Sequence, residues 1–153
     1  MEWRRGEYVV TDDLSRMDMP RIHQWLSQEA YWSMGRSLED VAESLRQSRT
    51  YAVLRNGEQV GIGRAITDGV TFAYLCDVFV AEPYRNQQIG AWMLSCMLAD
   101  LRDAGIRQVL LATRDAHALY RRAGFHELNR PERWLEIDPT TEGTTQGDRD
   151  DAR

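Results

Sequence analysis

The sequence predicts one mixed α/β domain whose sheet is antiparallel in its first half and parallel in its second, and three observations carry that expectation. From Tyr51 to Val80, strand-type residues are broken by two glycine turns, Asn56-Gly57 and Asp68-Gly69, the pattern of an antiparallel meander. Ile89, Met93, Leu94, Met97, Leu98 and Leu101 then recur at helical spacing. Val109-Leu110-Leu111 follows as a short, continuously apolar run, as in a strand covered on both faces, and a strand, a helix and a strand make a right-handed parallel crossover.

The elements follow in order. Tyr8 to Thr11 is the first expected strand, and Asp18-Met19-Pro20 is a start signal for a helix with Ile22, Trp25 and Leu26 on one face. Ser37 to Asp40 has the spacing of a capping box and opens a second helix lined by Leu38, Val41, Ala42 and Leu45. Tyr51–Leu54, Gln59–Gly63 and Thr71–Val80 are the meander strands, and the long helix from Ile89 stops at Ala104-Gly105. Ala116 to Arg122 is a short helix closed by Gly124, and a last strand is expected from Phe125 toward Trp134 and Ile137. Residues 1–138 are read as one domain and 139–153, polar and nearly free of apolar residues, as a disordered tail.

Composition bounds the partners. With 153 residues, 42% of them hydrophobic, the chain suits a single globular core. A formal charge of -5 disfavours nucleic acid or an anionic membrane as the main partner. The N-terminus lacks the apolar stretch of a secretion signal and no run is long enough to span a bilayer, so a cytoplasmic location is expected. Cys76 and Cys96 have no ligand spacing, which argues against a metal site or a disulfide framework.

The chemistry is expected between Asp77 and Ala91. A strand that turns tightly into a helix leaves backbone N–H groups free at the positive end of the helix dipole, a fit for a pyrophosphate. The turn holds Arg85, Asn86, Gln87, Gln88, Ile89, Gly90 and Ala91 and is neither a Walker A loop nor a GxGxxG loop. Arg85, Gln88 and Gly90 fall where the GNAT superfamily of N-acetyltransferases has its Arg/Gln-x-x-Gly-x-Gly/Ala turn, with Gln88 in the place of the first glycine. Ala116-His117-Ala118-Leu119-Tyr120, continuing to Gly124-Phe125, resembles that family's Ala-x-x-Leu-Tyr-x-x-x-Gly-Phe segment, and Thr113 stands where an asparagine is usual.

The resemblance implies a GNAT-like fold, with the fourth and fifth strands of the family splayed around coenzyme A, and transfer of an acetyl group from acetyl-CoA to an amine without a metal. It implies that Val78, Phe79, Val80, the 85–91 turn, Thr113, Ala116 and Tyr120 bind the cofactor. Tyr120 would protonate the departing thiolate, since a phenol near ~10 can donate to a thiolate near ~8.5. Asp77 is the candidate base for the amine, and Tyr31, Trp32, Asp77 and His117 are candidates for the acceptor pocket. Each has a plainer alternative: Tyr120 as a core tyrosine, Asp77 as a solvated strand residue, His117 as structural, Tyr31 and Trp32 as packing.

The expected acceptor is a small-molecule amine, with a peptide amine kept open, and a homodimer is equally open. The competing reading is a non-catalytic acyl-CoA sensor of the same fold.

Overall fold

The computed structural model describes residues 1–137, so the tail expected at 139–153 lies outside the described residues. Six strands form one sheet in chain order: β1 (Glu2–Arg5), β2 (Tyr8–Thr11), β3 (Arg49–Arg55), β4 (Glu58–Thr67), β5 (Phe72–Val80) and β6 (Gln108–Leu111). Each neighbouring pair is antiparallel except β5 and β6, which are parallel. Four α-helices accompany them: α1 (Met19–Gln24), α2 (Leu38–Arg46), α3 (Ile89–Asp103) and α4 (His117–Arg122). None of the described helices is long and apolar enough to cross a membrane.

Local chemistry starts the helices as the residue types require. The Asp18 carboxylate accepts from the Arg21 N–H at 3.0 Å, with Pro20 in the first turn. Ser37 Oγ accepts from the Asp40 N–H at 3.1 Å. Beyond α1 the chain widens into a π turn, Trp25–Glu29, then a 3-10 turn, Tyr31–Ser33.

The sheet separates two apolar layers. On one face Tyr51, Val53, Ala73 and Leu75 pack under α3 with Met93, Leu94 and Met97. On the other, Ala52, Leu54 and Ile62 pack under α1 and α2 with Ile22, Leu26 and Leu45. The alternation of residues 51 to 54 between layers is the period-2 rule of a pleated strand.

That rule breaks once in β5. Ala73 and Leu75 face the α3 layer, yet Phe79, four residues on from Leu75, faces the α1/α2 layer against Trp25 at 5.4 Å between ring centroids. The pairing of β4 with β5 jumps from Arg64↔Cys76 to Ile62↔Phe79, so Gly63 alone faces Asp77 and Val78. An extra residue in one strand is a β-bulge, and here Asp77 takes the left-handed φ of +52°. Packing favours Gly63: a Cβ there would lie 2.6 Å from the Met97 sulfur of α3, so the buried Met97 side chain would have to shift.

Three expectations need correction. β1 is an additional strand, invisible to a periodicity search because Trp3 is its sole apolar residue. Leu38, expected on the inner side of α2, is 48% exposed, as suits the first residue of a helix that reaches the core only from Val41 onward. The strand expected between Phe125 and Ile137 is absent among the described residues, where a 3-10 turn at Pro131–Arg133 is the sole regular element.

Candidate functional site

β5 and β6 pair from Phe72↔Gln108 to Leu75↔Leu111 and then part. Residues 76–80 of β5 therefore have no strand on that side among the described residues. The Ala81 N–H donates to Val60 O across to β4 at 2.9 Å, and strand alternation then turns the Val78 and Val80 amides toward the open side. The Phe79 side chain lies in the core and its main chain faces β4, so this residue, unlike Val78 and Val80, turns no polar group to the opening.

The parting creates a cleft of about 510 Å³ that contains Tyr31, Trp32, Cys76, Asp77, Thr113 and Tyr120. The fold thus brings together seven of the residues singled out in the sequence, Tyr31, Trp32, Asp77, Val78, Thr113, Ala116 and Tyr120, from three separate stretches. His117 does not join them. It is exposed and faces a separate depression of about 300 Å³ on the far side of Tyr120.

At the end of β5 the chain makes the Glu82–Tyr84 3-10 turn and enters α3. Asn86 and Gln88 both take left-handed φ values, +61° and +60°, and no backbone N–H from Asn86 through Ala91 finds an acceptor among the described residues. Six free amides at the start of a 15-residue helix make a strong anion site. Gly90 adds a second indication. A Cβ at Gly90 would touch only Val80, at an ordinary 3.6 Å, so the protein itself does not demand glycine, whereas a ligand approaching the main chain would.

The loop is braced from both sides. Arg85 Nε donates to Val80 O at 2.8 Å, and its guanidinium lies 5.1 Å above the Phe79 ring. Arg5 donates to Gln87 O and the Tyr8 hydroxyl donates to Gln87 Oε1, each at 3.2 Å, while Gln87 Nε2 donates to Pro83 O. Arg5 and Tyr8 carry no local motif. Ile89 points its side chain into the α3 layer.

Asp77 is 3% exposed and heavily engaged. Its Oδ1 accepts from Trp32 Nε1 at 2.9 Å, and its Oδ2 accepts from Arg36 at 2.9 Å and from Arg64 Nε at 2.8 Å. Burial would push its carboxyl up, but the Arg64 guanidinium, the Trp32 N–H and Arg36 outweigh it and hold the carboxyl below its usual range. A carboxylate so held is a weak proton acceptor and a strong structural tie. Its partners stand 13, 41 and 45 residues away in sequence, beyond the reach of a local motif.

Tyr120 packs edge-on to Phe125 at 5.8 Å. Its phenol is pushed up from 10.0 by burial first, then by Tyr31 and Cys76, and so stays protonated at neutral pH. Burial likewise raises the Cys76 thiol to about 11, which leaves little thiolate for nucleophilic attack. Thr113 Oγ1 accepts from the Ala116 N–H at 3.1 Å, fixing the turn into α4.

At the outer wall, Tyr31 meets Trp32 edge-on at 5.1 Å, and Arg114 lies 3.6 Å over the Tyr31 ring. Asp115, paired with Arg114 at 3.4 Å, adds an exposed carboxylate to the rim. Among the described residues no cluster of three or more His, Cys, Asp or Glu could hold a metal ion.

Residues 19–125 match the family model described as acetyltransferase (GNAT) family. A curated protein of Gibberella zeae, named as an acetyltransferase, is 33% identical over 77% of this chain and 78% of its own length. A crystal structure from Xanthomonas campestris pv. campestris, described as an acetyltransferase of the GNAT family, is 33% identical, superposes with a TM-score of 0.83, and covers 92% of this chain and all of its own. A GNAT family acetyltransferase from Elizabethkingia anophelis, solved with acetyl-CoA bound, shares the fold at a TM-score of 0.62 and 17% identity, over 80% of this chain and 78% of its own.

Proposed function

The chain belongs to the GNAT acetyltransferase family, and on that premise we propose that it is an N-acetyltransferase that moves an acetyl group from acetyl-CoA directly to a primary amine of a small molecule or peptide. The observation that carries the proposal is the run of free amides from Asn86 to Ala91 beside the unpaired edge of β5. Acetyl-CoA, when bound, supplies a thioester whose carbonyl carbon accepts the amine.

The chain's own residues divide the work. Amides of the 86–91 loop bind the pyrophosphate, with Arg85 and Arg5 adding positive charge. The Val78 and Val80 amides receive the pantetheine arm as an added strand, and one of them polarises the thioester carbonyl. As the C–N bond forms and the C–S bond breaks, the Tyr120 phenol gives its proton to the sulfur, and the second proton leaving the nitrogen restores the phenol through water. The Trp32 ring offers an ammonium group a face at the rim, beside Tyr31, whose ring already carries Arg114. Its proton passes to water at the open mouth, while Asp77 serves as a positioning residue that ties the Trp32 turn to β5. A half-buried, protonated Cys76 fits direct transfer without an acyl-enzyme. We place the reaction in the cytoplasm, in keeping with two free cysteines.

Free-thiol release from acetyl-CoA, measured across amines, amino acids, amino sugars and peptide N-termini, tests the reading. Amine-dependent release supports it. Tight coenzyme A binding with no release from any class would make the protein a sensor instead.

A further inference from the structure

The Asp77 carboxylate does not neutralise the charge gathered on it. Arg36 and Arg64 both donate to its Oδ2, at 2.9 and 2.8 Å, so two guanidinium groups share one buried carboxylate and a positive charge is left over. Such a surplus, largely withdrawn from water, is unfavourable until an anion meets it. The cleft supplies none of its own, since Arg114 and Asp115 pair with each other at the rim.

The surplus stands at the cleft floor. Arg64 of β4 is the cross-strand partner of Cys76, whose side chain lines the cleft. Burial raises that thiol, and Arg64 and Arg36 both work against the rise. Donors remain to be used: among the described residues, Nη2 of Arg64 and both Nε and Nη2 of Arg36 have no hydrogen-bond acceptor, and none of the three is sealed from open space. Tyr31, Trp32 and Tyr74 line the same cleft. Because Trp32 Nε1 donates to Asp77 Oδ1 at 2.9 Å, the ring offered to an ammonium group stands beside the guanidinium groups. An α-amino acid carries its ammonium and its carboxylate on a single carbon atom and meets both at once.

We infer that the acceptor is a free α-amino acid with an apolar or aromatic side chain, its carboxylate held by Arg36 and Arg64, its amino group beside Trp32 and its side chain among the aromatic rings. A peptide N-terminus has an amide where the amino acid has its carboxylate, and leaves the surplus charge unmet. The inference rests on the acetyl-transfer reading for the reaction, though not for binding.

L-phenylalanine, L-phenylalaninamide and phenethylamine share a ring and an amine, and only the first carries a carboxylate. Calorimetric titration of the protein loaded with coenzyme A should show phenylalanine binding about 10–100-fold more tightly than either of the others, the range of a hydrogen bond to a charged group, and acetyl transfer should follow the same order in kcat/KM. Arg36→Met leaves Asp77 paired with Arg64 and cancels the surplus, so it should abolish the preference with an unchanged circular dichroism spectrum; a merely structural loss would weaken all three ligands alike. Phenylalanine that binds no better than its amide or phenethylamine overturns the inference, as does a preference that survives Arg36→Met. Selective binding of phenylalanine with no thiol release from acetyl-CoA would instead overturn the acetyl-transfer reading alone.

Discussion

Arg64 Nε donates to Asp77 Oδ2 at 2.8 Å across the bulge that turns β5 from one face of the sheet to the other. Both side chains are nearly buried, at 10% and 1% exposure, and Arg36 completes the pair from the loop before α2.

Removing the carboxylate leaves two guanidinium groups short of a partner, a change that typically costs about 3–5 kcal/mol. Asp77→Ala should approach that figure in urea unfolding, since alanine also tolerates the +52° φ poorly. Asp77→Asn keeps the backbone preference and should cost less. Equal losses for the two would mean that the missing charge, and not the backbone, carries the cost. The parent should show a matching pH dependence. Because the folded carboxyl titrates below its ordinary 3.8, its contribution is whole above that value and drains away as the pH falls through the folded one. Urea midpoints at decreasing pH should therefore fall more steeply for the parent than for Asp77→Asn.

Tyr120→Phe should lower kcat by roughly 10²–10⁴-fold, the usual range for a lost general acid, with little change in coenzyme A affinity. With the phenol raised above 10.0, the parent kcat should not decline up to about pH 10. Full activity in the phenylalanine variant would remove Tyr120 from the acid role.

Gly90→Ala should separate ligand from fold. Nothing in the protein obstructs the new methyl group, and alanine is favoured over glycine within a helix by about 0.5–1 kcal/mol. Thermal stability should hold or rise while coenzyme A binding, read by calorimetry, weakens about tenfold, or roughly 1.4 kcal/mol. Unchanged binding would mean that the phosphates lie elsewhere.

Cys76→Ala should retain activity within about twofold, because a thiol held near 11 contributes little nucleophile at neutral pH. A rapid burst of thiol release without an amine, lost in this variant, would point to an acyl-enzyme.

What the sequence made legible was local. Asn56-Gly57, the Ser37 cap and the stripe from Ile89 to Leu101 are short-range instructions, and the strands and helices they announce are present. The amide loop was legible for the same reason, since a strand-to-helix turn is written in adjacent residues. Distant partnerships were not. Arg5 and Tyr8 reach Gln87 from about eighty residues away, and Asp77, marked as a candidate base by its position, meets Trp32, Arg36 and Arg64 only when the sheet and the first helices assemble. His117 shares a helical face with Tyr120 by spacing, yet the cleft passes on the opposite side of the tyrosine.

The division of the interior into two layers bears on how such a protein can change under selection. The turn carrying Tyr31 and Trp32 hangs from the layer of Ile22, Trp25 and Leu26, whereas the amide loop opens a helix rooted in Met93, Leu94 and Met97. A sheet lies between the two, so substitutions that reshape the proposed acceptor wall can accumulate while the proposed anion-binding loop is inherited intact. Asp77 is the joint where that freedom ends: its carboxylate holds the Trp32 turn while its backbone sets the course of β5, and variation there disturbs both inheritances at once.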